Sequence, residues 1–176
     1  RIATGHGDDT VRVSTTTGDL VATLESCVHA LASTPSGDMV FASFDNTVTV
    51  WRDNACVHTL SGHAGTVNAV AVSPLDGTIV SGSADNTAKV WSASTGERVA
   101  TLEGHTESVD AVCVLPNGDV VTGSRDKKVR VWGHGSWACT AVYEEIDEVS
   151  CVAVVYGGGL VVGGGTIGDD GFVSLW

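Results

Sequence analysis

One period governs this sequence. Residues 62–91 read GHAGTVNAVAVSPLDGTIVSGSADNTAKVW: an alternating run through Val67, Ala69 and Ala71, a turn at Pro74, a second run at Val80-Ser81-Gly82-Ser83 and, after Asp85, a third that ends at Trp91. Each run is about five to seven residues of β-branched and small apolar types between turn residues, the pattern of strand, turn and strand. The pattern returns along the chain. Asp8, Asp45, Asp85, Asp126 and Asp170 follow one another at 37, 40, 41 and 44 residues, and Ser14, Trp51, Trp91, Trp132 and Trp176 stand six positions after them. A unit of roughly 40 residues built only of short strands cannot bury its own apolar face, so successive units must stack, as in a propeller or an array.

Three features carry a more specific likeness. The Gly-His pairs Gly62-His63 and Gly104-His105, the Ser-Gly-Ser-x-Asp turn and the Trp-ended third strand recur in register. In these the chain resembles the WD-repeat β-propellers along essentially its whole length. It departs from them in one respect, because Arg52, Ser92 and Gly133 stand after the Trp residues where the family's name places Asp. The resemblance implies an all-β fold, an incomplete arc of four-stranded antiparallel blades in a single domain covering 1–176.

The units fall at roughly 1–25, 26–61, 62–103, 104–143 and 144–176. Three strands are expected in the first, four in each of the next three and three in the last, about 18 in all. The end units both carry second and third strands and cannot merge into one blade, so the expectation is a fragment of a longer propeller with two open flanks. Pro35-Ser36-Gly37-Asp38, Pro74-Leu75-Asp76-Gly77 and Pro116-Asn117-Gly118-Asp119 are tight turns between first and second strands, with Pro presetting φ and Gly or Asn accepting a positive one. Tyr156-Gly157-Gly158-Gly159 is the looser counterpart in the last unit. The link into the unit at 26–61 is short and has no Gly-His.

The totals exclude several classes. A formal charge of −12 repels phosphates and argues against a nucleic-acid or anionic-membrane surface. No window reaches the ~18 continuous apolar residues of a spanning helix, and no charged-then-apolar leader is visible. The five cysteines, Cys27, Cys56, Cys113, Cys139 and Cys151, form no C-x-x-C pair. In or beside strands they are expected to act as small buried hydrophobes, which with no glycosylation acceptor suggests a reducing compartment, cytoplasmic or nuclear. The histidines have no ligand spacing with them, so neither a metal nor another cofactor is expected.

His63, Ser81, Asp85 and Trp91, repeated as His105, Thr122, Asp126 and Trp132, invite a hydrolase reading. A nucleophile is not usually duplicated in successive repeats, whereas a structural lock is. The resemblance implies a buried hydrogen-bond network joining the loop before the first strand to the second and third strands. Glu145 takes the His slot opposite Asp170 in the last unit, which would bring two carboxylates together. Gly163-Gly164-Gly165-Thr166-Ile167-Gly168 has the spacing of a dinucleotide loop, but a turn and a strand follow it rather than the helix that a pyrophosphate needs. Arg125, Lys127, Lys128 and Arg130 form the one basic cluster and read as a solvated edge. Trp137 lies outside the repeat.

No catalytic residues are assigned. The function expected from the resemblance is a non-catalytic scaffold that binds proteins or peptides through loops at a propeller face. Contact positions in the family cluster beside the Gly-His loops, flanking the first-strand Val and preceding the turn Asp. Here these are Thr66 and Asn68, Ser108 and Asp110, and Glu148 and Ser150, with His29, Phe44 and Arg125. Phe44 stands out because an apolar ring in a turn buries nothing unless something covers it. The alternative is an adaptor in ubiquitin handling. Val114-Leu115-Pro116-Asn117-Gly118-Asp119 and Trp132-Gly133-His134-Gly135 resemble the propeller of the phospholipase A2-activating protein family, which would make ubiquitin a partner, and substrate-binding propellers of F-box proteins fit equally.

Overall fold

Val, Thr, Ala and Ser dominate the runs between turns, and such residues pack well on a pleated surface that is covered on both sides. In the computed structural model, which describes residues 2–5, 10–14, 17–25, 28–155, 159–165 and 172–175, these runs form eighteen antiparallel strands and no helix among the described residues. Five sheets follow one another along the chain. The first holds β1 (Ile2–Gly5), β2 (Thr10–Ser14) and β3 (Leu20–Glu25). The second holds β4 (Val28–Ser33), β5 (Met39–Ser43), β6 (Thr47–Arg52) and β7 (Ala55–Ser61). The third holds β8 (Val67–Val72), β9 (Ile79–Ser83), β10 (Ala88–Trp91) and β11 (Arg98–Leu102). The fourth holds β12 (Val109–Val114), β13 (Val120–Ser124), β14 (Lys128–Trp132) and β15 (Cys139–Glu144). The last holds β16 (Val149–Val154), β17 (Leu160–Gly164) and β18 (Phe172–Leu175). Each strand pairs with its neighbours in sequence, so every sheet is a meander, and the sheets form an open arc with β4, β8, β12 and β16 side by side.

The apolar cores lie between sheets. Val40, Val48, Val50 and Leu60 of the second sheet meet Val67, Ile79 and Trp91 of the third. Val80, Val90 and Leu102 of the third meet Val109, Val120 and Trp132 of the fourth. Val121 and Val129 meet Val149 and Val162 of the last, while Val11 and Val13 of the first meet Phe41 of the second. A sheet caught between two neighbours loses its polar face, and β5, β9 and β13 are accordingly buried along their whole length. Where the first strands converge there is room only for small side chains. Ala30 and Ala32, Ala69 and Ala71, and Ala111 and Cys113 fill those positions against the following sheet. Each fully buried Val contributes about 1.5–3 kcal/mol.

Two close approaches fix the spacing of the sheets. A Cβ on Gly82 would stand 2.8 Å from Val109 Cγ1, and one on Gly123 would collide with Val149. Small residues at this point of the second strand let the next sheet's first strand come close.

The cysteines correct the sequence reading. Among the described cysteines, Cys56, Cys139 and Cys151 are exposed and Cys113 alone is part-buried, its thiol pushed up to about 12 by burial, with a smaller effect from Cys151. Cys56 and Cys139 sit on the fourth strands β7 and β15, whose residues are mostly solvent-facing, and Cys151 alternates with the core residue Val152. Cys27, the loop end at 166–171 with Asp170, the turn residues 156–158, Asp8 and Trp176 lie outside the described residues.

Candidate functional site

The duplicated His set is a directed chain of hydrogen bonds. His63 Nδ1 lies 2.8 Å from Asp85 Oδ2, His63 Nε2 lies 2.8 Å from Ser81 Oγ, and Trp91 Nε1 donates to Ser81 Oγ at 2.8 Å. Burial lowers the imidazole's affinity for a proton and outweighs the opposing pull of Asp85, so the ring is neutral. Burial also pushes Asp85 up, but Thr87, the Ala64 N–H and His63 overcome it and hold the carboxyl at about 2. An ionised carboxylate only accepts, so Nδ1 carries the proton, Nε2 accepts, and Ser81 O–H donates to it. Every proton in the chain is then placed. Trp132, Thr122, His105 and Asp126 repeat the arrangement at 3.0, 2.8 and 2.9 Å. Ser81 and Thr122 are fully buried and reach no open cleft, so the set ties the loops at 62–66 and 103–108 to their sheets.

The second sheet solves the same problem differently. Register places Phe41 where Ser81 and Thr122 stand, opposite Thr49 as Ser81 is opposite Lys89. Phe41 is fully buried with its ring 6.2 Å from that of Trp51, and Trp51 Nε1 turns to Thr49 Oγ1 at 2.9 Å. An apolar contact replaces the hydroxyl, and the indole finds its acceptor two residues back on its own strand.

At the end of the sheets where these loops lie, β4, β8, β12 and β16 each carry a β-bulge just after their first Val. The bulged residues are His29, Asn68, Asp110 and Ser150, and a bulge re-aims the extra side chain. Asn68 Nδ2 crosses to the next sheet, donating to Ser108 Oγ at 2.9 Å and to Asp110 Oδ1 at 2.7 Å. Ser108 Oγ donates to Asp110 Oδ1 at 2.6 Å, and Arg125 Nε donates to Asp110 Oδ2 at 2.6 Å. Arg125 stays about half exposed, with its side chain at 54%. Thr66 is half-buried and its carbonyl accepts from Ala84 N–H, whereas Ser150 is exposed. Glu148 lies within the field of Arg125, and its carbonyl accepts from Gly165 N–H. Phe44 is 53% exposed and stacks on His29, ring centroids 4.6 Å apart and 12° from parallel.

The basic cluster is four separate cases. Arg125 belongs to this face. Lys127 and Lys128 reach Asp147 and Glu144, each at 3.6 Å. Arg130 lies against Gly104 with its Nε buried and without a hydrogen-bond partner among the described residues. At the opposite end of the sheets, sequence reasoning missed a link between turns 58 residues apart: His134 Nε2 lies 3.2 Å from Asp76 Oδ2. Trp137 packs in the same region, edge-on to His134 and against the core between the third and fourth sheets. A cleft of about 820 Å³ also opens at that end, lined by Leu31, Asp38, Met39, Trp51 and Arg52.

The family profile described as WD domain, G-beta repeat matches residues 18–52, 54–92 and 96–133. The chain belongs to the WD-repeat family. Each matched repeat begins just before the last strand of one sheet and ends at or just after the third strand of the next, so each repeat joins two consecutive sheets. A solved WD40 beta propeller domain of Doa1 superimposes with a TM-score of 0.81 and 29% identity, over 91% of this chain and 56% of that one. The chain is 30% identical over 164 residues to the ribosome biogenesis protein WDR12 homolog of Anopheles gambiae, covering 74% of this chain and 38% of that protein. It is 31% identical over 189 residues to pre-mRNA-processing factor 19 homolog 2 of Arabidopsis thaliana, covering 99% of this chain and 35% of the relative. The chain thus spans little more than a third of these two relatives and 56% of the Doa1 chain. Propellers of this family are generally non-catalytic scaffolds for protein interactions.

Proposed function

We propose that this WD-repeat chain is a docking platform for protein or peptide partners, and that the partners meet the end of the sheets bearing His29, Phe44, Thr66, Asn68, Ser108, Asp110, Arg125, Glu148 and Ser150. The observation that carries the reading is the row of bulges. Four successive first strands carry one bulged polar or ring residue each at the same end, and the bonds from Asn68 and Arg125 to Asp110 hold two of them, Asn68 and Asp110, in place across a sheet boundary. Side chains ordered in advance lose little freedom on binding. The acidic balance favours protein over nucleic acid as the partner. Relatives named for ribosome biogenesis and pre-mRNA processing are consistent with a role inside an assembly, in the cytoplasm or nucleus.

The test is affinity purification from the native source with the unaltered protein and with an Asn68→Ala/Arg125→Ala variant whose circular dichroism matches it. The reading expects the specific partners to be lost from the variant. Retention of the same partners at the same yield would reject this face.

A further inference from the structure

The turn at residues 44–47 differs from its two counterparts in what it leaves open. Asp85 Oδ1 accepts from Thr87 N–H at 3.0 Å and Thr87 Oγ1 at 2.7 Å, while Oδ2 accepts from His63 Nδ1 at 2.8 Å and Ala64 N–H at 2.9 Å. Asp126 is held alike, by Lys128 N–H at 3.0 Å on Oδ1 and by His105 Nδ1 at 2.9 Å and Thr106 N–H at 3.1 Å on Oδ2. Asp45 has the same clamp on Oδ1, from Thr47 N–H at 3.0 Å and Thr47 Oγ1 at 2.7 Å. The shared clamp orients its carboxylate as in the other two turns. No described residue donates to its Oδ2, where the counterparts receive two N–H groups. The cause is chain length: residues 26–27 alone separate β3 from β4, whereas residues 62–66 separate β7 from β8 and bring His63 across.

The ground beside that oxygen also differs. In the third sheet Gly65 sits over Ala84, its Cβ position 3.3 Å from Ala84 Cβ. The second sheet has Phe44 in place of Ala84, about half exposed and stacked on the exposed ring of His29. An oriented carboxylate oxygen short of two N–H donors thus belongs to the residue that directly follows Phe44, whose half-exposed ring stacks on His29.

We propose that Asp45, Phe44 and His29 form a seat for an arginine side chain of a protein partner, a proposal that rests on the partner-face reading above. A guanidinium supplies two N–H donors to one carboxylate and a planar cation that stacks on rings. An ammonium matches the charge but not the plane. An apolar side chain would dehydrate Oδ2 without replacing its hydrogen bonds, and a carboxylate would be repelled. The net charge of −12 draws a basic segment toward the chain.

The test is a titration of the isotope-labelled 176-residue chain with acetyl-Ala-Arg-Ala-amide, followed by amide chemical shifts. The citrulline peptide, equal in shape and uncharged, is the control. Expected are saturable shifts at His29, Phe44, Asp45 and Thr47, with affinity for the citrulline peptide lower by about tenfold or more. Asp45→Asn keeps the Oδ1 acceptor for Thr47 and should abolish those shifts, and Phe44→Ala should weaken them severalfold. Equal response to citrulline, survival of the shifts in Asp45→Asn, or no shift at this turn would overturn the proposal. Arginine-dependent shifts confined to Ser108, Asp110 and Glu148 would also overturn it while leaving the partner-face reading intact. Loss of that broader reading would show instead as partners retained by the Asn68→Ala/Arg125→Ala variant.

Discussion

Ser81→Ala is the sharpest perturbation of the buried chain. The substitution removes one oxygen from a fully buried position and adds no bulk. It orphans two groups at once, the Trp91 Nε1–H that donates to Ser81 and the His63 Nε2 that accepts from it. A buried polar group left without a partner costs about 1–3 kcal/mol, so for the two groups the loss should be about 2–6 kcal/mol. The second sheet shows how part of it can be recovered. Trp51 takes its acceptor from Thr49, two residues back, but the matching position before Trp91 is Lys89, which has no hydroxyl. Lys89→Thr in the Ser81→Ala background should therefore restore about 1 kcal/mol, whereas in the unaltered protein it should restore nothing. Urea denaturation followed by tryptophan fluorescence measures both, with Ser94→Ala, at an exposed site, as the control. A loss for Ser81→Ala below about 0.5 kcal/mol, or no interaction between the two substitutions, would refute the reasoning.

The remaining predictions concern pH and the spacing of the sheets. His63 and His105 stay neutral because burial lowers them from 6.5, so as pH falls through 6.5 the unfolded chain takes up protons that the fold refuses. Their stabilisation is complete above 6.5 and is lost on acidification, with a slope approaching about 1.4 kcal/mol per pH unit for each ring. Asp85 adds a second decline, present above 3.8 and lost as pH falls toward 2. Denaturation midpoints that stay level or rise between pH 6.5 and 5 would contradict the neutral assignment. Gly82→Ala should cost about 1–3 kcal/mol, because its Cβ would press on Val109, and Val109→Ala should offset part of that loss. Additive effects of the two in thermal melts would show that the contact does not set the spacing.

The period of the Asp and Trp residues made the order of strands legible, since a meander is the simplest path for short strands joined by tight turns. The members of the His63 and His105 networks were legible through their repetition. Phe41 stands four residues before Asp45, as Ser81 stands before Asp85 and Thr122 before Asp126, so the apolar replacement is legible in the same spacing. What could not be read was contact between sheets. Asn68 and Asp110 are 42 residues apart, His134 and Asp76 are 58 apart, and no local pattern couples them. The exposure of Cys56 and Cys139 was misjudged because a fourth strand looks as apolar as a second one in sequence, yet β7 and β15 have few neighbours beyond their own sheet. Bulges at His29, Asn68, Asp110 and Ser150 leave no composition signal of their own.

The central claim is that partners meet one end of the sheets, and site-specific photo-crosslinking tests it most directly. A photoreactive residue would be placed at Glu107 or Ser150, exposed on the proposed face, and at Leu75 or Asn117, exposed at the opposite end. In the native source, discrete crosslinked species should form from Glu107 and Ser150, and they should disappear when Asn68→Ala and Arg125→Ala are added. Crosslinks that form from Leu75 and Asn117 instead, in the turns beside the His134–Asp76 link, would contradict the assignment and move the docking site to the other end of the propeller.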